Sequence, residues 1–284
     1  DSLRTLTGLS GLAAVGEAID IIDNDALVDT GSFPALTTIG EALWIRGNSA
    51  LTQVTGFTAL TAVDRLDVSY SPALTDLSGL SALTAVGSLD LEYNTQLATL
   101  DGLSSLTTIE RLDVAWCDSL ESLDGLEGVT DLDRLYLGAN AALSDISALS
   151  GLDWIDFISI SQNPALTDLT PLNGLRGAEL LSITYGPGVD LDLSGMEYLD
   201  ELTLRDLSGM TALPDLSGLV SLENLTIHDN PDLTSLAGLS TLEKVRTDAI
   251  VSLNPGLCAS EVAAFFEAVD VEGSTHTDSN DDGC

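Results

Sequence analysis

The stretch LDLEYNTQLATLDGLSSLTTI, residues 89–109, is one unit of a pattern that recurs through most of the 284-residue chain. It begins with two aliphatic residues on either side of a polar one, and asparagine follows three residues after this triplet. Working outward, the same apolar-x-apolar triplet returns about every 23 residues, starting at positions 19, 43, 66, 89, 112, 135, 158, 181, 202 and 225. Such self-similarity is typical of a solenoid, whose units bury their core only by stacking on their neighbours.

The triplets alternate with a period of two, which predicts short strands with Leu89 and Leu91 inward and Asp90 outward. We expect about eleven coils, the last from a looser triplet at 251–253, with parallel strands about 4.8 Å apart. Recurrent Gly-Leu pairs predict 3₁₀ turns or short strands on the opposite, convex side. The unit at 181–202 is two residues short, and we expect a kink or a protruding loop there.

Asparagine recurs at the turn that follows the triplet. A carboxamide both donates and accepts hydrogen bonds, so it can satisfy backbone groups that have no partner in a sheet. We therefore predict a structural asparagine ladder formed by Asn24, Asn48, Asn94, Asn140, Asn163 and Asn230. Cys117 occupies the same position in its repeat, and we expect it to be a buried thiol.

The run L-x-L-x-x-N followed by L-x-x-L-x-G-L-x-x-L-T-x-V resembles leucine-rich repeats over roughly residues 3–255. The N-P-x-L-T-x-L form at 163–169 and 230–236 is similar to the receptor L-domain branch of bacterial secreted and surface proteins, and to the usually shorter internalin-type repeats. The resemblance implies a β-rich leucine-rich-repeat solenoid, in a family classed as α/β, with a parallel concave sheet. It also implies ligands that are proteins, peptides or glycans, and it brings no catalytic residue and no cofactor.

The C-terminal segment departs from the period, so we divide the chain into a solenoid at 1–255 and a cap at 256–284. Residues 260–271 predict an amphipathic capping helix that begins after Ser260. Cys258 and Cys284 flank this segment, and we predict a disulfide between them and hence an oxidising compartment. Beyond the helix, the acidic tail contains the beginning of a calcium-loop pattern, although a solvated tail is the alternative; the candidate ligands are Asp278, Asn280 and Asp282.

The charge balance limits the partners. The chain has 45 acidic and 9 basic residues, a net charge of −36, which disfavours nucleic acid because phosphates require clustered cations. It lacks a run of about 20 apolar residues, so we expect no membrane insertion. The chain begins without methionine, and we expect a trimmed product that is secreted or attached to the cell surface. The lysine-poor acidic composition favours a halotolerant protein, and nothing in the sequence indicates the oligomeric state.

Aromatic and arginine side chains concentrate at outward positions of the strands. These are the residue types that dominate binding at protein interfaces, so the predicted ligand surface consists of Trp44, Arg65, Tyr70, Tyr93, Arg111, Trp116, Arg134 and Tyr136. The alternative is ordinary pairing between strands, with the three arginines neutralising Asp67, Asp90 and Asp113.

These patterns favour a non-catalytic extracellular recognition or adhesion module. The sequence contains no phosphate loop, no zinc-ligand spacing and no Ser-His-Asp constellation, so we predict that it is not an enzyme. A structural spacer or stalk is the alternative. A third hypothesis is binding to ice or another regular surface through a threonine ladder at Thr37, Thr61, Thr84, Thr107 and Thr130.

Overall fold

The computed structural model describes residues 3–281, 283 and 284, and the chain divides into two compact units that meet in sequence between Gly151 and Leu152. Each unit is a stack of coils in which one strand per coil joins a parallel ladder. The strands of the first unit are β1 (Ala14–Val15), β2 (Ala18–Ile22), β3 (Thr38–Ile39), β4 (Ala42–Arg46), β5 (Ala62–Ser69), β6 (Ala85–Glu92), β7 (Thr108–Ala115) and β8 (Asp131–Gly138).

The ladder of the first unit runs in the order β2-β4-β5-β6-β7-β8. Its register places residues 23 apart beside each other, so Asp67 lies opposite Asp90, and Asp90 opposite Asp113. Leu89 and Leu91 are fully buried, as the period of two requires. Each coil adds further buried leucines between its strands, and their side chains are covered only because the neighbouring coils pack against them.

The convex side contains 3₁₀ turns at Thr7–Leu9, Ser78–Leu80, Asp101–Leu103 and Ser147–Leu149 in the first unit. Isolated parallel bridges lie between some of these turns, for example from Asp29 to Gln53 and from Gln53 to Asp76. Both forms expected from the Gly-Leu pairs therefore occur. Aspartates precede several turns and fix them, since the Asp76 carboxylate accepts a hydrogen bond from the Ser78 amide at 2.7 Å.

A left-handed residue follows each triplet and directs the chain inward. Tyr70, Tyr93 and Trp116 have φ values of 57°, 55° and 57°, and the same position is left-handed in the other coils of both units. The next residue then points into the core. There, Asn94 Oδ1 accepts from the Ser71 amide at 3.2 Å, while Asn94 Nδ2 donates to the Val68 carbonyl at 2.6 Å.

The asparagines thus join each coil to the one before it. Asn48, Asn140 and Asn230 also donate to a carbonyl of the preceding coil, at 2.8, 2.9 and 3.0 Å. Asn24, in the first rung, donates instead to Ile22 of its own coil at an exposed position. Asn163 is buried and donates to the Ser161 carbonyl at 3.0 Å.

Cys117 takes the asparagine position of its coil. The thiol is fully buried and donates to the Leu91 carbonyl at 3.2 Å, and the Cys117 amide donates to Asn140 Oδ1 at 3.0 Å. Burial raises the pKa of the thiol to about 12. It is therefore a protonated donor within the ladder.

The second unit contains β9 (Phe157–Ser161), β10 (Gly177–Pro187), β11 (Tyr198–Ser208), β12 (Ser221–Leu222), β13 (Asn224–His228), β14 (Lys244–Val245), β15 (Ala249–Ser252), β16 (Asp270–Val271) and β17 (Thr275–His276). Its 3₁₀ turns are Thr170–Gly174 and Ala237–Leu239, and its helix α1 is Ala259–Ala268. In place of the expected kink or loop at the shortened repeat, β10 and β11 are long paired strands whose register moves to 21 residues. The missing residues are absorbed because the pairing continues to Pro187 and Ser208.

The C-terminal prediction needs correction. Helix α1 begins directly after Cys258 and ends at Ala268, so the expected helix at 260–271 is wrong at its end, where residues 270–271 form β16 beside β14. Strand β17 then pairs with β15, which adds one coil to the eleven expected. Val262 and Val269 are buried under the last coils, and the predicted disulfide between Cys258 and Cys284 is confirmed.

The acidic tail supplies the last rung of the ladder. Asn280 Oδ1 accepts from the Asn254 amide at 3.2 Å, and Asn280 Nδ2 donates to the Val251 carbonyl at 2.8 Å. The carboxamide expected as a calcium ligand is therefore engaged in the fold. Asp282 lies outside the described residues, and those that are described contain no group of three side chains suited to a metal ion, so calcium binding stays a prediction.

Candidate ligand-binding surface

All eight residues of the predicted ligand surface belong to the first unit, and the strand register arranges them in rows. We call Asp67, Asp90 and Asp113 the acidic row, Arg65, Arg111 and Arg134 the arginine row, and Tyr70, Tyr93 and Trp116 the aromatic stack. Trp44 and Tyr136 lie at the two ends of the acidic row, opposite Asp67 and Asp113 respectively. The parallel ladder brings these groups together because it repeats each position once per strand.

The aromatic stack is continuous. The ring centroids of Tyr70 and Tyr93 are 4.7 Å apart and those of Tyr93 and Trp116 are 5.4 Å apart, with planes inclined by 16° and 10°. The three side chains remain 37–50% exposed. Since the rings use their inner faces on one another, only their edges and the two outer faces of the stack are open to a ligand.

The stack carries a conformational cost. Its three residues occupy the left-handed region, which costs an ordinary side chain about 1–2 kcal/mol, whereas glycine adopts it freely. In neighbouring coils the position is held by Gly47 and Ala139, with φ values of 65° and 53°. Three large aromatic residues in succession are therefore not required by the turn itself.

The acidic row is largely withdrawn from solvent. Asp67 is 1% exposed and forms an ion pair with Arg46, while Asp113 is 5% exposed and accepts from Arg111 Nη2 at 2.8 Å. Asp90, between them, accepts from the Ser88 hydroxyl at 3.2 Å. Burial, and then the neighbouring charge of Asp67, raise the pKa of Asp90 above its ordinary value.

The arginine pairing differs from the expected one-to-one neutralisation. Within the described residues, only Arg111 of the arginine row pairs with the acidic row, and Arg46 takes the place expected of Arg65. Arg65 and Arg134 form no ion pair within that part of the chain. Both side chains line a shallow groove of about 290 Å³ over Gly87 and Ser88, whose other walls are Asp64, Glu110, Arg111 and Asp133.

Tyr136 is 37% exposed and lies along its own strand. A Cβ atom on Gly138 would be 2.7 Å from the Tyr136 hydroxyl, so the glycine makes room for the ring. Burial, followed by the charge of Asp113, raises the pKa of the Tyr136 phenol. Trp44, at the opposite end, is half-buried. The acidic row thus has an aromatic neighbour on each side.

The second unit contains an aromatic pair that the sequence analysis missed. Trp154 reaches over Gly177 and stacks on Tyr198 with ring centroids 5.6 Å apart. The Trp154 indole donates to Asp156 Oδ1 at 2.7 Å, and the Tyr198 hydroxyl donates to Asp200 Oδ2 at 2.5 Å. The signal was hidden because the shortened repeat breaks the spacing between them to 23 and then 21 residues.

The threonine row has a structural use. The hydroxyls of Thr84 and Thr107 donate to the carbonyls of Thr61 and Thr84, at 3.1 and 3.2 Å, and Thr37 donates to Ala13 at 3.4 Å. Each of these hydroxyls is turned toward the backbone of the coil before it. The row therefore contributes to the stacking of the coils.

Comparison with known proteins identifies the fold. No protein-family model and no curated protein matches the sequence. An internalin structure from Listeria monocytogenes is 17% identical, over 93% of this chain and 82% of that one, with a TM-score of 0.51. A leucine-rich repeat protein from Bacteroides ovatus is 12% identical, over 97% and 87% of the two chains, with a TM-score of 0.24. The internalin likeness and the coil register confirm the predicted leucine-rich-repeat solenoid.

Proposed function

We propose that this leucine-rich-repeat chain is a non-catalytic recognition or adhesion module that binds a protein or peptide through the outward strand face of its first unit. The aromatic stack is the observation that carries the proposal. Tyr70, Tyr93 and Trp116 are exposed, ordered by mutual stacking and held in a backbone conformation that disfavours large side chains. Residues that persist against local strain are most often retained for function.

The neighbouring rows supply what a protein interface needs around such an anchor. Arg65 and Arg134 are exposed donors beside the groove, and Tyr136 adds an amphipathic ring at the end of the acidic row. Tyrosine, tryptophan and arginine are the residues enriched at interface hot spots. A glycan is the less favoured ligand, because sugar stacking requires ring faces and those of Tyr93 are covered by its two neighbours.

We place the protein outside the cell or on its surface. The disulfide between Cys258 and Cys284 supports an oxidising compartment. None of the described helices is both long and apolar enough to cross a membrane. A spacer or stalk remains the alternative, and it requires no particular chemistry on the strand face.

The test is quantitative capture of extracellular proteins by the immobilised chain, with the bound proteins identified by mass spectrometry. The test variant replaces Tyr70, Tyr93 and Trp116 together by alanine. The matched control replaces Asp23, Gln162 and Asp229 by alanine, since these residues have the same left-handed conformation in other coils. Loss of capture in the test variant alone supports the proposal. Equal capture by both variants and the parent rejects it in favour of a spacer.

A further inference from the structure

A buried carboxylate oxygen of the acidic row has no partner. Asp113 is 5% exposed, and its Oδ2 atom accepts from Arg111 at 2.8 Å. Its Oδ1 atom is also buried but has no hydrogen-bond partner among residues 3–281, 283 and 284. Native structures leave few buried polar atoms unsatisfied, and a charged acceptor is the most costly to leave so. The structure therefore contains an acceptor that awaits a donor.

The surroundings of this oxygen carry excess negative charge. Asp90 lies opposite Asp113 on the neighbouring strand, and Glu92 follows two residues after Asp90. The acidic row and Glu92 together have four carboxylates, while Arg46 and Arg111 supply two cations. Burial and the surrounding carboxylates raise the pKa values of Asp90 and Glu92, which is the response of groups that lack enough nearby positive charge.

The chemistry of the missing donor follows from these contacts. An anion would be repelled, and a carboxylate can only accept hydrogen bonds when ionised. The described residues contain no side-chain cluster suited to a metal ion. A guanidinium or ammonium group supplies both the charge and the donors, and its aliphatic stem can pack on an aromatic ring such as Tyr136.

We propose that the acidic row binds the cationic side chain of an arginine or lysine in a basic peptide segment, with Asp113 Oδ1 and the Asp90 carboxylate as acceptors. The proposal rests on the proposed function and specifies the chemistry of its partner. Arg111 and Tyr136 are the exposed side chains that flank Asp113, and their exposure of 54% and 37% allows them to move aside. The net charge of −36 draws a basic segment toward the surface.

The experiment follows the amide resonances of the full chain by NMR while acetyl-Gly-Arg-Gly-amide is added. The titration is repeated with the peptide that contains citrulline, which is neutral but of similar shape, and with acetyl-Gly-Glu-Gly-amide. An ionic strength of about 0.15 M limits the reach of the general acidic field to about 8 Å. The arginine peptide should shift the amides of β6, β7 and β8, and the other two peptides should not.

The decisive variant is Asp90→Asn, because Asp90 has no ion pair within the described residues and the substitution leaves both arginine contacts intact. Removing one charge pair should weaken binding of the arginine peptide by about tenfold. Asp20→Asn is the matched control, since Asp20 has the same position on β2 but faces Trp44 and not a carboxylate. Asp113→Asn is the second variant, and its folding is checked by circular dichroism.

The outcomes separate the two proposals. Equal binding of the citrulline peptide, or an equal loss in Asp90→Asn and Asp20→Asn, overturns the inference of a cation site. If neither arginine peptide binding nor shifts in β6–β8 occur, while the aromatic variant still loses capture of proteins, the recognition function stands and only the cation site is refuted. If protein capture is unaffected by the aromatic variant, the proposed function itself fails, whatever the peptide does.

Discussion

Replacement of Asn94 by alanine tests whether the asparagine ladder holds neighbouring coils together. Asn94 is fully buried, and its carboxamide satisfies the Ser71 amide and the Val68 carbonyl of the coil before it. Alanine leaves both backbone groups without partners, at about 1–3 kcal/mol each, or about 2–6 kcal/mol in total. A water molecule entering the vacated polar space would recover part of this, which places the expected loss at about 2–3 kcal/mol.

Two measurements are needed because a repeat array does not always unfold in one step. Urea unfolding followed by circular dichroism gives the global loss. Native-state hydrogen exchange at the Ser71 amide gives the local one, and about 2–3 kcal/mol corresponds to exchange about 30- to 150-fold faster.

The control for this prediction is Asn24→Ala. Asn24 occupies the same position in the first rung, but its side chain donates only within its own coil and at an exposed site. We expect its replacement to cost less than about 1 kcal/mol. The reasoning is refuted if Asn94→Ala costs no more than Asn24→Ala, or if the Ser71 amide remains as protected as in the parent protein.

Three further results are expected. Because the Cys117 thiol has a pKa of about 12, a thiol reagent at pH 8 should modify it only as fast as the protein unfolds; reaction at the rate of free cysteine would contradict its burial. Because the folded-state pKa of Asp90 is raised, folded protein holds this proton more tightly, and stability falls as the pH rises through the raised pKa. Asp90→Asn should flatten that slope in urea unfolding and not lower stability at pH 7, and a loss there would show that the charge stabilises the fold. Finally, the Tm should rise from low salt to about 1 M, where the Debye length is about 3 Å, and an unchanged Tm rules out self-repulsion from the net charge of −36.

The strand positions could be predicted because the period is set by the core. Each coil repeats the same buried aliphatic positions, and a one-residue slip would turn Leu89 and Leu91 outward. The last coil was missed because Thr275 and His276 replace the aliphatic residues that mark other strands. Only the left-handed Ser279 and the buried Asn280 preserve the pattern there, and two polar residues in an acidic tail equally indicate a solvated segment.

The membership of the candidate surface could be predicted, but its pairing could not. Register alone places the acidic row, the arginine row and the aromatic stack side by side. Which arginine meets which carboxylate depends on side-chain rotamers, and Arg46 reaches diagonally to Asp67 from the preceding strand. The unsatisfied oxygen of Asp113 is likewise a property of these rotamers and has no signature in the spacing of residues.

The carboxylates fall into two groups with opposite effects on folding. Asp168 and Asp192 accept hydrogen bonds from Thr170 and Ser194, which lower their pKa values, so their contribution is present above the ordinary pKa and is lost as the pH falls. Asp90 behaves in the opposite way, because its ionised form is disfavoured in the folded protein. The turn aspartates are therefore explained by stability. The charge of Asp90 is not, and a residue kept ionised against the stability of its own fold is explained by a cation that binds to it.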